Sequence, residues 1–576
     1  MGQDIARPRW KIVNSRKVAT VSEVIDILLE NRNLDRASFS GDLKELAQHL
    51  CIRGMVEGAG LLAKHIAAGD KVVVVADYDC DGITSAAQMA HFFRDIGYHN
   101  FEVVIPSRRE GYGIPPRAVT DNPDAKLFVA LDCGTLDHRP VAQARSMGAQ
   151  FIVIDHHEVP CNGAGPDHAP ATVLINPKHP ECGSPFKEFC AAGLTFLFLA
   201  ALRQAFRKMN TAMSFPRLGG KYLALAATGT VSDLVPLVSG NRILTQSGLR
   251  NLNENSFAPL CELVQGAGLT GKTLTAGHIG FYLGPRINAA GRISEGQIAY
   301  DLLTAREPAK LAGLAAEIEK LNGERRAQEE KIIEEIGSRL AKKPPKTRTL
   351  VLASPGWQPG VVGIAASKVQ QNLYFAPVVI FSMDEASGIA RGSARSVPGF
   401  DIHRALSRCS SLLIRWGGHK AAAGLTIESE RIDEFAERLE EIASEYPARI
   451  FIPYGKVDLE LPLALVGPEL LRELQTLEPH GMGNPVPVFG VRGQKVNSVK
   501  VFGKEKNHLR LEFANGVEAI WWRGAQSLAA QNGKISSGLV PGQVKDIIFR
   551  LAGDSFRNRT VLEIVDLGHF EWEWFD

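Results

Sequence analysis

The chain has 576 residues, 45% of them hydrophobic and 22% charged, too long for one ordinary core and too apolar for disorder, so three or four domains are expected. Lys and Arg number 65 against 63 Asp and Glu; no overall field would draw in a polyanion, and any nucleic-acid surface must be a local basic patch. The charged, proline-containing opening "MGQDIARPRW", the absence of about 18 uninterrupted apolar residues, and eight cysteines with no C-x-x-C pair argue against a signal peptide, a membrane span, a disulfide framework and a zinc knuckle, so a cytoplasmic-type chain with reduced thiols is expected.

Residues 1–70 read as a helical cap, because "VSEVIDILLE", "DLKELAQHL" and "GMVEGAGLLAKHI" set apolar residues three and four apart. From Lys71 the pattern changes to short β-branched runs, "VVVVA", "LFVAL" and "FIVI", alternating with helical stretches, so residues 71–305 are expected to form an α/β domain on a parallel sheet buried on both faces. Residues 306–345 are a long connecting helix that stops at Pro344-Pro345. Residues 346–447 return to α/β patterning, with "TLVLA" and "PVVIF" as strands, and predict a second, smaller α/β domain. Residues 448–576 alternate in "KVNSVKVFG", "HLRLEFA" and "DIIFRLAG" between Gly and Asn turns, which suggests a small antiparallel barrel.

The apolar runs of the first α/β domain end in acid. "VVVVADYDCDG" places Asp77, Asp79 and Asp81 on alternate residues, which would share a face if the strand continued. "LFVALDCG" ends in Asp132, "FIVIDHHE" in Asp155, His156 and His157, and "ATGTVSD" adds Asp233 after a helix-like segment. Open α/β sheets bind ligands beyond the carboxyl ends of their strands, and so many carboxylates in one cleft are tolerable only if cations balance them. Oxygen ligands with one or two imidazoles suit Mn2+ or Mg2+ better than zinc, and two such ions about 3.5 to 4 Å apart would support in-line displacement at phosphorus.

Two other patterns fail on context. "DYDCDG" opens like an EF-hand loop, but position 12 is Gln88 and a strand precedes it. "GAGLTGKT", Gly266 to Thr273, satisfies the phosphate-cradling pattern, yet a helical segment precedes it and two glycines follow where a helix should begin.

In this order "DYDCDG", "LDCG", "DHHE" and "ATGTVSD" resemble the DHH phosphoesterase superfamily, with Asp155 to His157 as the triplet. "GFYLGPRINAAGRI", "GSARS", "GGHKAAAGLTI" and "EPHGMGNPVPVF" are similar to its RecJ single-stranded-DNA exonuclease branch. The resemblance implies a parallel-sheet DHH domain, a long connecting helix, a smaller DHH-associated domain and a C-terminal oligonucleotide-binding β-barrel, an order of α/β domain, helix, α/β domain and barrel that agrees with the one expected from periodicity. It implies two ions, one on Asp79 and Asp132 and the other on Asp81, Asp132, His156 and Asp233, with Asp77 as an additional ligand and His157 facing the scissile phosphate. It also implies substrate contacts from Arg108, Tyr112, Arg286, Asn288, Arg292, Ser393, Arg395 and His419. The loop "PSRREGYG" is shorter than in many relatives, which leaves Arg108 and Arg109 as rivals for the DNA 5′ end; Arg108 is preferred. Tyr112, Phe502, Trp521 and Trp522 are candidates for base stacking, and the two tryptophans could equally be core.

The activity implied is 5′ to 3′ hydrolysis of single-stranded DNA to 5′-mononucleotides by a monomer acting in repair and recombination. A single-stranded-DNA-binding protein and a helicase are the implied partners. The competing functions are a DHH-type phosphodiesterase of short oligonucleotides or polyphosphate, and a DNA-binding replication scaffold that does not cut.

Overall fold

The structure, a computed structural model, describes residues 9–36, 39, 41–162, 165–209, 215–255, 257–514, 516–525, 539–554, 559–570 and 572–574. The chain divides into two compact units, one of residues 37–325 with 478–485 and the other of residues 1–36, 326–477 and 486–576.

The first unit is built on five parallel strands in the order Phe101–Val104, Val72–Ala76, Leu127–Leu131, Gln150–Ile154, Val173–Ile175. Side chains alternate across a strand, and here both faces are covered: Val72, Val74 and Ala76 enter one apolar core while Val73 and Val75 enter another. That is why these runs are unbroken apolar stretches rather than alternating ones. The helices Cys80–Asp95, Ala191–Lys208 and Lys221–Ser232 pack against one another on the larger core.

Register decides what stands at the sheet's carboxyl edge. Ala76 pairs with Leu131, Leu131 with Ile154, and Ile154 with Ile175. The next residues, Asp77, Asp132, Asp155 and Asn176, therefore leave the sheet at one level. The ladder runs on through that level, with Asp77 N donating to Leu131 O, Asp132 N to Ile154 O and Asp155 N to Ile175 O.

The second unit contains a five-stranded mixed sheet in the order Leu413–Gly418, Ala422–Glu428, Ile389–Arg395, Val378–Asp384, Leu350–Ser354, parallel only in its last pair. It also contains a closed barrel of Phe489–Phe502, His508–Phe513, Glu518–Trp521, Arg559–Gly568 and Val544–Asp554, closed because Phe489–Phe502 pairs with both His508–Phe513 and Val544–Asp554. The helix Pro308–Lys342 runs through the division between the units. Among the described residues, no helix is long and apolar enough to cross a membrane.

The expected helical cap is corrected at its start. Arg9–Asn14 is a strand lying in parallel between Tyr454–Glu460 and Trp572–Trp574, with Trp10 and Ile12 buried and Trp10 Nε1 donating to Asp566 Oδ2 at 2.9 Å. Alternation over six residues is a weak signal, and its partners lie more than 400 residues away. "DLKELAQHL" forms a 3-10 helix, Leu43–Cys51, rather than an α-helix. "GAGLTGKT" follows the helix Ala258–Gly266 and is not preceded by a strand.

Candidate metal centre

Asp77, Asp79 and Asp81 do not share an extended strand. The strand stops at Ala76, and Asp79 caps the helix Cys80–Asp95 by accepting from Asp81 N at 2.9 Å and Gly82 N at 3.1 Å. A Cβ on Gly82 would fall 2.7 Å from Asp77 N, so only glycine lets the helix start this close to the strand end. The turn delivers the three carboxylates to two places. Asp77 and Asp79 gather with Asp132, while Asp81 gathers with His156 and Asp233, the ligand atoms of each set lying within 4.8 Å of one another; Asp132, His156 and His157 form a third set. Asp233 arrives as the C-cap of Lys221–Ser232. His156 Nε2 stands 3.2 Å from Asp132 Oδ1, 3.6 Å from Asp233 Oδ2 and 3.7 Å from Asp81 Oδ2.

The surroundings hold this cluster in shape. Asp81, fully buried, accepts from Ala191 N at 2.7 Å and Ala192 N at 2.8 Å, the first turn of the helix Ala191–Lys208, where free backbone N–H groups favour an anion. Gly229 permits that approach, since a Cβ there would lie 3.0 Å from Asp81 Oδ1 and collide with Ala192. Asp155 accepts from Thr135 N, His156 N and His157 N, and its Oδ1 is 2.7 Å from His157 Nδ1. Asn176 fixes the same loop by donating to His157 O and Thr135 Oγ1. Tyr112 Oη donates to Asp132 O at 3.0 Å and lies 2.9 Å from His157 Nδ1.

Burial, reinforced by the neighbouring carboxylates, pushes Asp77, Asp132 and Asp233 well above the ordinary carboxylate range and Asp81 up to about 7. Asp155 goes the other way. Burial opposes its charge, but the charge and hydrogen bond of His157 and the charge of His156 hold it below the usual range, and Asp155 in turn raises His157 against the effect of burial. Asp77 Oδ1 is buried without a hydrogen-bond partner, a costly state for an acceptor, and Asp132 Oδ1, which also makes no hydrogen bond, has the His156 imidazole 3.2 Å away. Hard oxygens, an imidazole, raised carboxylates and an unsatisfied buried oxygen together fit a pair of hard divalent cations.

The remaining predicted residues separate. Arg108 Nε donates to Gly291 O at 2.9 Å and its guanidinium lies 4.5 Å from the Tyr78 ring centroid, beside the metal loop, whereas Arg109 is exposed. The charge of Arg292 is felt at Tyr78. Arg286 is buried and consumed by structure, pairing with Glu319 through Nε at 2.7 Å and Nη2 at 3.0 Å and donating to the carbonyls of Tyr282 and Gly266. Asn288 Oδ1 accepts from Cys80 N at 2.8 Å, so this side chain braces the metal loop. Both residues sit in the motif expected to touch DNA, but their partners, Glu319 and Cys80, lie outside that motif.

In the second unit Arg395 donates through Nε to Ser367 Oγ and through Nη1 to Ser393 Oγ, both at 2.8 Å, around Gly363. Gly392 serves packing, because a Cβ there would press on the Phe381 ring. Gly417 and Gly424, paired across two strands, have open space where a side chain would be, and the neighbouring His419 is exposed. Trp521 is core, while Trp522 is half exposed with the rings of His508 and Phe502 at 5.0 and 5.8 Å. The sequence reading missed the Ala191–Ala192 backbone cradle, Gly229 and the Asn176 and Thr135 braces; the only signal in the sequence is the small-residue pair Ala191-Ala192 at the start of an apolar helix.

Three family profiles match the chain: the DHH family, N-terminal domain, at residues 71–230, the DHHA1 domain at 346–445 and the RecJ OB domain at 457–565. The parallel sheet and its acidic edge are thus a DHH-type domain. The single-stranded-DNA-specific exonuclease RecJ of Bacillus subtilis (strain 168) is 32% identical over 91% of this chain and 64% of its own length, so the chain spans under two thirds of that relative. The same-named protein of Thermus thermophilus is 31% identical over 90% of this chain and 74% of its own length. A crystal structure of RecJ in complex with Mn2+ from Thermus thermophilus matches with a TM-score of 0.80 at 28% identity, covering 98% of this chain and 80% of that one. One in complex with Mg2+ from the same organism matches at 0.76 and 26%, covering 98% and 79%. The chain belongs to the RecJ family.

Proposed function

We propose that this chain hydrolyses single-stranded DNA from its 5′ end with two divalent cations, Mn2+ or Mg2+, releasing 5′-mononucleotides in DNA repair and recombination. The observation that carries the reading is the sharing of Asp132 between ligand sets, one with Asp77 and Asp79 and one with His156, which itself belongs with Asp81 and Asp233. When bound, the cations would neutralise the cluster, lower the pKa of a water and polarise the phosphoryl oxygens. The chain's own residues supply the rest. Asp155 holds the His157 proton at Nδ1, which leaves Nε2 to meet a phosphoryl oxygen, and the raised affinity of His157 for protons suits stabilisation of developing negative charge. Tyr112 fixes the Asp132 backbone and the imidazole together.

A 5′ end calls for a site that pairs a terminal phosphate with guanidinium and hydroxyl donors. In the second unit Arg395, Ser393 and Ser367 supply that chemistry around Gly363, and the exposed His419 beside Gly417 suits contact with the phosphate backbone; in the first unit Arg108 is the rival candidate. A single-stranded-DNA-binding protein and a helicase are the proposed partners, and a monomer acting in the cytoplasm is the proposed state.

The test is a time course on labelled oligomers that differ in end chemistry, strandedness and added cation. Expected are mononucleotides released in order from the 5′ end of single strands with Mn2+ or Mg2+, and none with chelator. Cleavage of polyphosphate or dinucleotides without attack on long single strands would replace this reading by a small-substrate phosphodiesterase. Binding of single strands without cutting would replace it by a scaffold.

A further inference from the structure

The segment Ile279–Leu283 is a π-helical turn between the short helix Ala276–His278 and the helix Gly284–Ile293, and single π turns are rare and frequent at functional sites. Ile279 and Leu283 are fully buried, whereas Phe281 is 82% exposed, the only exposed phenylalanine among the described residues. A phenyl group normally gives a fold much of its burial, so its place in solvent needs a reason.

The turn stands beside Asp233. A Cβ on Gly280 would lie 3.5 Å from Val231, and one on Gly284 would strike Ser232, the residue before Asp233. Farther along the same helix, Asn288 grips Cys80 N in the metal loop and Gly291 accepts from Arg108. Residues four and seven or so apart share a helix face, so Phe281 heads a stripe with Pro285, Asn288 and Arg292 that runs from Asp233 past the metal loop toward Arg108.

We propose that the Phe281 ring is a seat for a nucleobase of the strand whose phosphate lies at the cluster, an inference that rests on the polynucleotide substrate proposed above. An aromatic face accepts every base because every base has a π face. A base inside a duplex already has both faces covered by its neighbours, so only an unpaired strand can offer one to Phe281, which makes the ring a contributor to single-strand preference.

Steady-state turnover by the full chain with Mn2+ tests this, comparing Phe281→Ala and Phe281→Trp on a single-stranded oligomer and on the same oligomer with abasic sites at its first positions. The exposed position should leave the thermal midpoint unchanged. Expected is a KM about ten-fold higher for Phe281→Ala, restored by Phe281→Trp, with the difference from the native chain vanishing on the abasic substrate. An unchanged KM, or an equal penalty on the abasic strand, overturns the seat and leaves the proposed function standing. A native chain that cuts no single strand overturns the proposed function and the seat with it.

Discussion

Asp132 occupies the most constrained backbone position of the cluster. It has φ 61, in the left-handed region, where Asp and Asn are the tolerated residues apart from glycine, and its Oδ1 is buried and makes no hydrogen bond, with His156 Nε2 3.2 Å away. Asp132→Asn keeps that backbone and the side-chain shape while removing the anion. Turnover should fall by more than about a thousand-fold, as for a member of a group that acts as a unit. The thermal midpoint without metal should not fall, because the cluster loses a source of repulsion, whereas the rise that Mn2+ gives the native chain should disappear. Unfolding curves of both chains with and without Mn2+ check this; a midpoint that still climbs with Mn2+ would remove Asp132 from the shared position. Asn288→Ala asks a subtler question, since it frees Cys80 N while leaving every carboxylate in place. Loss of such a brace typically costs roughly 10–100-fold in metal affinity, readable by titration calorimetry with Mn2+. Asp132 was legible in the sequence because a lone charge after an apolar run has few structural uses. Arg286 was not, because the residue that consumes it, Glu319, sits 33 positions on and only the fold brings the two together.

The helix Cys80–Asp95 carries function at one end and stability at the other. Near its start, Asp81 depends on the close approach of Lys221–Ser232 and Ala191–Lys208, which Gly229 permits. Gly229→Ala should cost about 1–3 kcal/mol by overpacking and weaken Mn2+ binding as well, a pairing that a purely structural glycine would not produce. Near its end, His91 is 4% exposed, with Nε2 2.9 Å from Leu303 O and Phe257 edge-on to its ring. Burial lowers it from the ordinary 6.5 to about 4, with the Leu303 hydrogen bond opposing. A lowered folded value means the unfolded chain takes up the proton first, so the contribution is full above pH 6.5 and lost as pH falls toward 4, about 3 kcal/mol in all. The raised carboxylates of the cluster act with the opposite sign, so the measurement is the difference in pH slope between the native chain and His91→Gln. Equal slopes would show that His91 takes up its proton as readily in the fold as in the unfolded chain. The strands and helices here were legible from periodicity, because hydrophobic spacing is local. The cradle for Asp81 was not, because backbone N–H groups belong to every residue and leave no mark in a sequence.

At the scale of the molecule, the domain pattern followed from apolar spacing except where a short element joins a distant sheet. Arg9–Asn14 joins the barrel strands' sheet through Tyr454–Glu460, so residues 1–36 belong with the second unit, and a truncation at residue 450 would leave Trp10 and Ile12 without the surface that buries them. Point variants in the full chain are the safer probe. Among the described residues the two units also have their own cores, one on each face of the parallel sheet and others on the mixed sheet and barrel, and the proposed ligands lie entirely in residues 37–325. A cation that binds only the folded form stabilises what it binds, by about 2.7 kcal/mol at a hundred times its Kd. For a unit of this size that is roughly 5 °C or more. Scanning calorimetry of the full chain should therefore show more than one transition, with Mn2+ raising one and leaving the other within error, and Asp132→Asn should abolish that rise. If both transitions move together, the units unfold as one cooperative body; if neither moves while turnover still requires the cation, binding is too weak to be held by a site formed before substrate arrives.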